Sequence, residues 1–184
     1  MALTKLNARS ASALDATILT GNLPAISGAS LTGISAGITT ASVWRLTTSF
    51  AGDVEPIASN LEQVDDASYE NLGSAMVESS GVFTFPSTGI YLVTGTAICH
   101  EGSSTDNFVQ FDFYYNSVRL FQIYHQLPMA DGYTTGTNSA LVDVTDVAQT
   151  GYVNYGNADS PATELMGNST INLTSLSFIR LGDT

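Results

Sequence analysis

The chain has 184 residues, only 12% of them charged, and a net charge of −12 from 17 Asp and Glu against 5 Lys and Arg. That length suits one domain of about 100–150 residues with an appendage, and a domain of that size needs no disulfide staples. The acidic balance repels phosphate and argues against nucleic-acid binding, no run of about 18 apolar residues exists to span a bilayer, and the single cysteine, Cys99, rules out an internal disulfide or a Cys-based zinc site within one chain.

The charge is unevenly placed. Residues 1–42 hold Lys5, Arg9 and Asp15, a net +1, so residues 43–184 carry −13 through Arg45, Arg119 and Arg180 against sixteen acids. The N-terminal segment is mostly Gly, Ala, Ser, Thr and Asn. Leu14, Ile18, Leu23, Ile26, Leu31, Ile34, Ile38 and Val43 punctuate it at steps of 4, 5, 3, 5, 3, 4 and 5. The phrase Leu19-Thr20-Gly21-Asn22 returns as Leu31-Thr32-Gly33-Ile34. A Gly/Ser linker has no reason to place a Leu or Ile so regularly. One copy presents too few apolar groups in any direction to form a core, whereas three copies wound together can. Pro24 and the glycines break long helices, so a short helix over Ser10–Ile18 followed by extended chain with turns is expected. No apolar run of about 7–15 residues follows Lys5 and Arg9, so no secretory signal is read there. The expected location is the cytoplasm, or a larger assembly that leaves it.

Residues 43–184 read as all-β. Alternation or β-rich composition predicts strands at Val43–Phe50, Gly81–Phe85, Ile90–Ile98, Phe108–Tyr115, Val118–Tyr124, Ser139–Val147, Gly151–Tyr155 and Ile171–Leu181. Turn signals such as Asn116-Ser117 and Asp131-Gly132 separate them. Strands at this spacing indicate a sandwich or jelly roll. Residues 51–72, with Asp53, Glu55, Glu62, Asp65, Asp66 and Glu70, read as a long exposed acidic loop. The run from Phe108 to Tyr115 is almost wholly aromatic, so both its faces are expected to be covered, one by its own core and one by a neighbouring subunit. On that reading Phe108, Phe111, Phe113 and Tyr115 mark a trimer interface.

The stretch from Gly81 to Val93 resembles the core signature of the complement-globular-head and tumour-necrosis-factor superfamily. That pattern has a Phe, a Gly six residues on and a Tyr two residues later, matched by Phe83, Gly89 and Tyr91, with Asn71 matching upstream. Val93 and Gly95 stand where the pattern ends in aromatics. Thr174 to Leu181 looks like the family's closing strand. The resemblance covers residues 43–184 and implies a ten-stranded jelly roll forming a homotrimer, with aromatic strands near the threefold axis. The opening Met1-Ala2-Leu3-Thr4-Lys5-Leu6-Asn7 is similar to the start of tail-fibre-like proteins of marine phages. Leu19 to Ile34 resembles the repeat of their fibre shafts. Together these imply a shaft-plus-head trimer on a phage particle, assembled in the host cytoplasm.

Chemistry-bearing motifs are sparse. No Gly-x-Ser-x-Gly elbow or phosphate loop occurs, and His100 and His125 stand in strand-like segments without a nucleophile pattern, so no catalytic residue is assigned. Cys99 is expected to be a small buried thiol, with His100 on the opposite strand face. Asp65-Asp66 and Asp143/Asp146 are carboxylate pairs of a kind that calcium accepts, although no calcium-loop spacing is present and no cofactor is assigned. Asn168-Ser169-Thr170 and Asn172-Leu173-Thr174 fit the glycosylation acceptor pattern but lack a secretory context. Tyr133, Tyr152 and Tyr155 are candidates for ligand binding, since tyrosine stacks on sugar rings and hydrogen-bonds through its hydroxyl.

The expected architecture is therefore an attachment segment, residues 1–42, and a jelly-roll head, residues 43–184. The expected role is a structural virion protein, not an enzyme. Leu23, Ile26, Leu31 and Ile34 would join it to capsid or tail proteins, and the head would project. It would serve as a tail fibre or spike that binds a host-surface glycan or protein, or as a head fibre or capsid decoration. The alternatives are a free-standing soluble ligand-binding trimer and a capsule depolymerase.

Overall fold

The computed structural model describes residues 37–102, 108–126, 130–156 and 162–184. Contacts divide the chain into Met1–Ser35 and Ala36–Thr184. The expected helix over Ser10–Ile18 and the attachment residues Leu23, Ile26, Leu31 and Ile34 lie outside the described residues.

The second unit is built from β-strands: β1 (Thr40–Leu46), β2 (Thr48–Ala51), β3 (Leu61–Gln63), β4 (Val77–Ser79), β5 (Val82–Thr84) and β6 (Gly89–His100) in its first half, then β7 (Val109–Tyr115), β8 (Val118–His125), β9 (Tyr133–Val144), β10 (Thr150–Gly156), β11 (Glu164–Asn168) and β12 (Ser175–Gly182). They pair antiparallel in two sheets. The larger runs β2-β11-β6-β12-β1-β3, with β9 along the other edge of β6, and the smaller runs β4-β5-β10-β7-β8. The result is the expected all-β jelly-roll sandwich. Among the described residues it has more strands than the ten implied by resemblance, and the short β3, β4 and β11 lack enough alternation to be read from sequence.

β6 is the spine of the larger sheet. Its residues alternate without a break between buried and half-buried, the period of two that puts successive side chains on opposite faces. Tyr91, Val93, Ala97 and Cys99 point into the core. The whole strand pairs with β9, from Gly89↔Val144 to His100↔Tyr133. On its other edge β12 pairs with the first half and β11 with the end.

The aromatic residues close the sandwich. Phe178 on β12 meets Phe83 at 5.1 Å and both Phe85 and Phe113 at 6.1 Å between ring centroids. Trp44 on β1 meets Phe83 edge-on at 5.5 Å. Phe83 and Tyr91, two of the three residues that carry the family resemblance, are therefore core residues. The third, Gly89, has φ 141° and places the position of a Cβ only 2.5 Å from the Gly182 carbonyl oxygen, so a side chain there would collide with the last strand. At Gly95 an added Cβ would lie 2.8 Å from the Phe121 ring and 3.1 Å from Phe111. The aromatic volume that the family pattern places on this strand comes here from the facing sheet.

Three expectations are corrected. Phe111, Phe113 and Tyr115 are buried inside the protomer. The opposite face of β7 carries Gln110, Asp112 and Tyr114, so alternation, not two-sided aromatic cover, describes this strand. Buried side chains offer no surface to a second chain, and the trimer contact assigned to these three residues does not follow from the fold. Phe108 alone is exposed, at 42%, beside Tyr124. Second, residues 51–72 are not simply a solvated loop: they contain β3, bury Ile57 and Val64, and anchor a buried arginine through Glu62 and Asp66. Third, the strand predicted over Val43–Phe50 begins at Thr40 and is interrupted at Thr47, and that predicted over Ser139–Val147 starts back at Tyr133 and ends at Val144.

Candidate interaction surfaces

The outward face of the larger sheet is the first candidate surface. Register across β9, β6, β12 and β1 sets side chains in rows. One row is Leu141, Leu92, Ile179 and Ala41. The next is Ser139, Thr94, Ser177 and Val43, and the third is Thr137, Thr96, Ser175 and Arg45. Leu141 is 67% exposed, and Thr96 and Thr137 share a 3.0 Å hydroxyl contact. These rows hold aliphatic groups and small hydroxyls and, apart from Arg45, no charge. The row beyond Leu141 and Leu92 holds Asp143 and Ile90, so the charge-free rows end there.

Arg45 ends the third row, and only 2% of its side chain is exposed. Its Nε donates to Glu62 Oε1 at 2.7 Å, and its terminal nitrogens pair with Glu62 and Asp66. The hydrogen bond that Arg45 donates to Asp66 is the main cause of a guanidinium pKa held above its ordinary value. The same bond holds the Asp66 carboxyl below the usual carboxylate range. A buried cation needs such partners, and here they neutralise the only charge in these three rows while tying the 61–66 segment to β1.

The three candidate tyrosines do not form one site. Tyr155 is buried in the core. Tyr133 is 66% exposed on β9, its ring 4.3 Å from that of His100, and His100 Nε2 lies 3.2 Å from Asp131 Oδ1. With Ile98, Thr135, Met166 and Leu173 it lines an open groove of about 310 Å³ on the larger sheet's outward side. Tyr152 lies on the smaller sheet, stacked on Tyr114 at 4.9 Å with planes 3° apart. It lines a second groove of about 380 Å³ with Glu55, Pro56, Val82 and Asn154.

Beside that second groove lies a group the sequence reading passed over. Asp112 points outward from β7, yet it is only 1% exposed. Arg119 contacts its Oδ2 at 3.3 Å, while Oδ1 is buried without a hydrogen-bond partner. Burial raises the carboxyl above its ordinary pKa, with Arg119 and a hydrogen bond from Gln122 acting in the opposite direction. Asn154 stands across the ladder from Asp112 and also buries an unpartnered Oδ1. The available signal was an aspartate within an aromatic strand: such a residue must face outward or be paired.

The remaining titratable residues have structural surroundings. Cys99 is buried, and that burial pushes its thiol up to about 12, with Tyr155 acting the other way. His125 is buried, and desolvation holds its pKa below the ordinary value. Of the carboxylate pairs, Asp66 is engaged by Arg45, and Asp146 accepts the Ala148 amide at 2.9 Å. Among the described residues no group of three or more His, Cys, Asp or Glu is placed to hold a metal ion. Asn168 accepts the amides of Thr170 and Ile171 at 2.8 and 3.0 Å, which makes it a turn former.

No family model and no curated protein sequence matches the chain. Solved structures do match its fold. Eiger TNF from S. frugiperda is 12% identical, covers 81% of this chain and 96% of its own, and aligns with a TM-score of 0.61. Murine APRIL is 14% identical over 77% of this chain and 98% of its own, with a TM-score of 0.56. The PRD1 vertex protein P5 is 15% identical over 80% of this chain and 100% of its own, with a TM-score of 0.51. At these identities the likeness establishes the fold: a tumour-necrosis-factor-like jelly roll.

Proposed function

We propose that this chain is a structural protein of a phage particle, a homotrimeric projection attached through residues 1–42 with its jelly-roll head outward. The observation that carries the reading is the block of three rows on the larger sheet's outward face in which the one charge, Arg45, is paired. Copies of a body with net charge −13 repel one another, so they can associate closely only where charge is absent or paired. The rows around Leu92, Leu141 and Ile179 meet that condition, and Arg45 meets it through its two carboxylates. The interface thus moves from the aromatic strand to the sheet on the other side of the core. The phage assignment is supported by the fibre-like repeat at Leu19–Ile34 and by the fold shared with a phage vertex protein.

Leu141→Glu tests the assembly. The residue is exposed in the protomer, so folding should survive, while three acids would meet at the interface. Light scattering on the full chain should give a trimer for the parent and a monomer for the variant. Tyr124→Glu, on the opposite sheet, should remain trimeric. A monomeric parent, or a trimer unmoved by Leu141→Glu, removes the basis of the proposal. An antibody against the head, imaged on particles, then tests location. Label over the capsid indicates decoration or a head fibre, and label on the tail indicates a host-binding fibre. The absence of label favours a free-standing soluble trimer, the reading that the likeness to Eiger and APRIL supports.

A further inference from the structure

The smaller sheet turns its back on the proposed assembly face, and its outward side carries the groove beside Tyr152. We infer that this groove binds a neutral saccharide. The inference goes beyond the structural role and does not depend on it. One ring face of Tyr152 is covered by Tyr114, in a stack whose planes are 3° apart. The other face is the one the ring can present to the groove, where Val82 and Pro56 complete an apolar wall. A groove of about 380 Å³ falls within the size range of small-molecule sites.

The polar side of the groove consists of a carboxylate and a side-chain amide, which offer acceptors and, from Asn154 Nδ2, a donor. Asn154 lines it with an Oδ1 that is buried and has no partner, and Glu55 adds a carboxylate. Asp112 lies directly across the ladder from Asn154, 1% exposed, its Oδ1 likewise without a partner. Asp112 stands behind the groove lining with Arg119 and Gln122 as its hydrogen-bonding neighbours, so the acceptors a ligand meets are those of Asn154 and Glu55. The matching ligand has hydroxyl donors on its rim and an apolar C–H face for the ring, and a sugar ring has both. The acidity of the lining selects against uronic and sialic acids, whose carboxylates would meet Glu55. An apolar peptide would leave both acceptors unpaired.

The test uses the full chain on an array of neutral hexose and N-acetylhexosamine oligosaccharides, with uronic-acid oligosaccharides alongside, followed by titration of the best binder by saturation-transfer NMR. Saturable binding to at least one neutral saccharide is expected. Tyr152→Ala and Asn154→Ala should each weaken it about tenfold, the loss of one ring contact or one buried hydrogen bond, while Tyr152→Phe stays within about twofold. Tyr124→Ala, on the same sheet but outside the groove, should bind as the parent does. Should Tyr152→Ala fail to fold, Asn154→Ala and Tyr152→Phe still decide the matter. Failure to bind any neutral saccharide at millimolar concentration overturns the inference. So does binding of uronates alone, or neutral binding that both groove substitutions leave intact. Light scattering on the same samples reads the trimer separately, so the two proposals fail independently.

Discussion

Phe178→Ala probes whether a single aromatic wedge holds the two sheets together. Phe178 is 0% exposed and, beside Trp44 and Tyr91, is the larger sheet's residue that reaches all three of Phe83, Phe85 and Phe113 across the core. Truncating a buried phenylalanine to alanine costs about 3–5 kcal/mol through lost transfer energy and the cavity left behind. Three ring contacts, each worth about 0.5–1.5 kcal/mol beyond area, place this site in the upper part of that range. Against a total stability of about 5–15 kcal/mol, the loss is large. At about 2–4 °C per kcal/mol for a chain of this size, the melting temperature should fall by about 8–16 °C. Phe108→Ala is the control: its ring is 42% exposed and touches Tyr124 at 5.4 Å, so the loss should stay under about 1 kcal/mol, or about 4 °C. Thermal unfolding followed by circular dichroism on the full chain, at one protein concentration because association shifts the apparent midpoint, gives both numbers. Equal shifts for the two variants, or a Phe178→Ala shift below about 4 °C, would refute the wedge and with it the assignment of the aromatic strand to the protomer core.

Gly95→Val should destabilise by about 1–3 kcal/mol, because its Cβ would lie 2.8 Å from the Phe121 ring in a closed core; urea midpoints measure it. His125 is buried with its pKa lowered, so its contribution is present above the unfolded value of about 6.5 and is lost as pH falls from there toward the lowered folded value. The stability of the parent minus that of His125→Phe should therefore decline between pH 7.5 and 5; a flat difference would show that the imidazole is hydrated. Cys99, buried and with its pKa pushed up to about 12, should not react with a thiol-specific disulfide reagent in the native protein and should react fully in denaturant; rapid native labelling would place the thiol at the surface.

Much of the fold is legible in local pattern. The unbroken alternation of Ile90–Ile98, the Asn116-Ser117 turn between two β-rich runs, and the Phe83-Gly89-Tyr91 spacing each report a constraint that acts within a few residues: strand period, left-handed turn geometry, and a glycine held against the closing strand. The first half of β9 escaped because Thr134-Thr135-Gly136-Thr137-Asn138-Ser139 has no apolar face to alternate, being paired only along β6 and largely exposed. Residues 51–72 looked like solvent-facing acids because the cation that claims Glu62 and Asp66 is Arg45, 17 and 21 positions away.

Composition and period by themselves determined that residues 43–184 are acidic and all-β, that residues 1–42 are near-neutral and carry a short repeat, and that the chain has no Gly-x-Ser-x-Gly elbow or phosphate loop. Which face of each strand looks inward was also readable wherever one face is apolar. Only the tertiary structure decided which outward faces lie together. It put Phe111, Phe113 and Tyr115 of β7 inside the protomer, assembled three rows with a single, paired charge from four strands distant in sequence, and set Asp112 across the ladder from Asn154. These are properties of register between strands. Register is settled by the packing of both sheets at once, and no single strand encodes it.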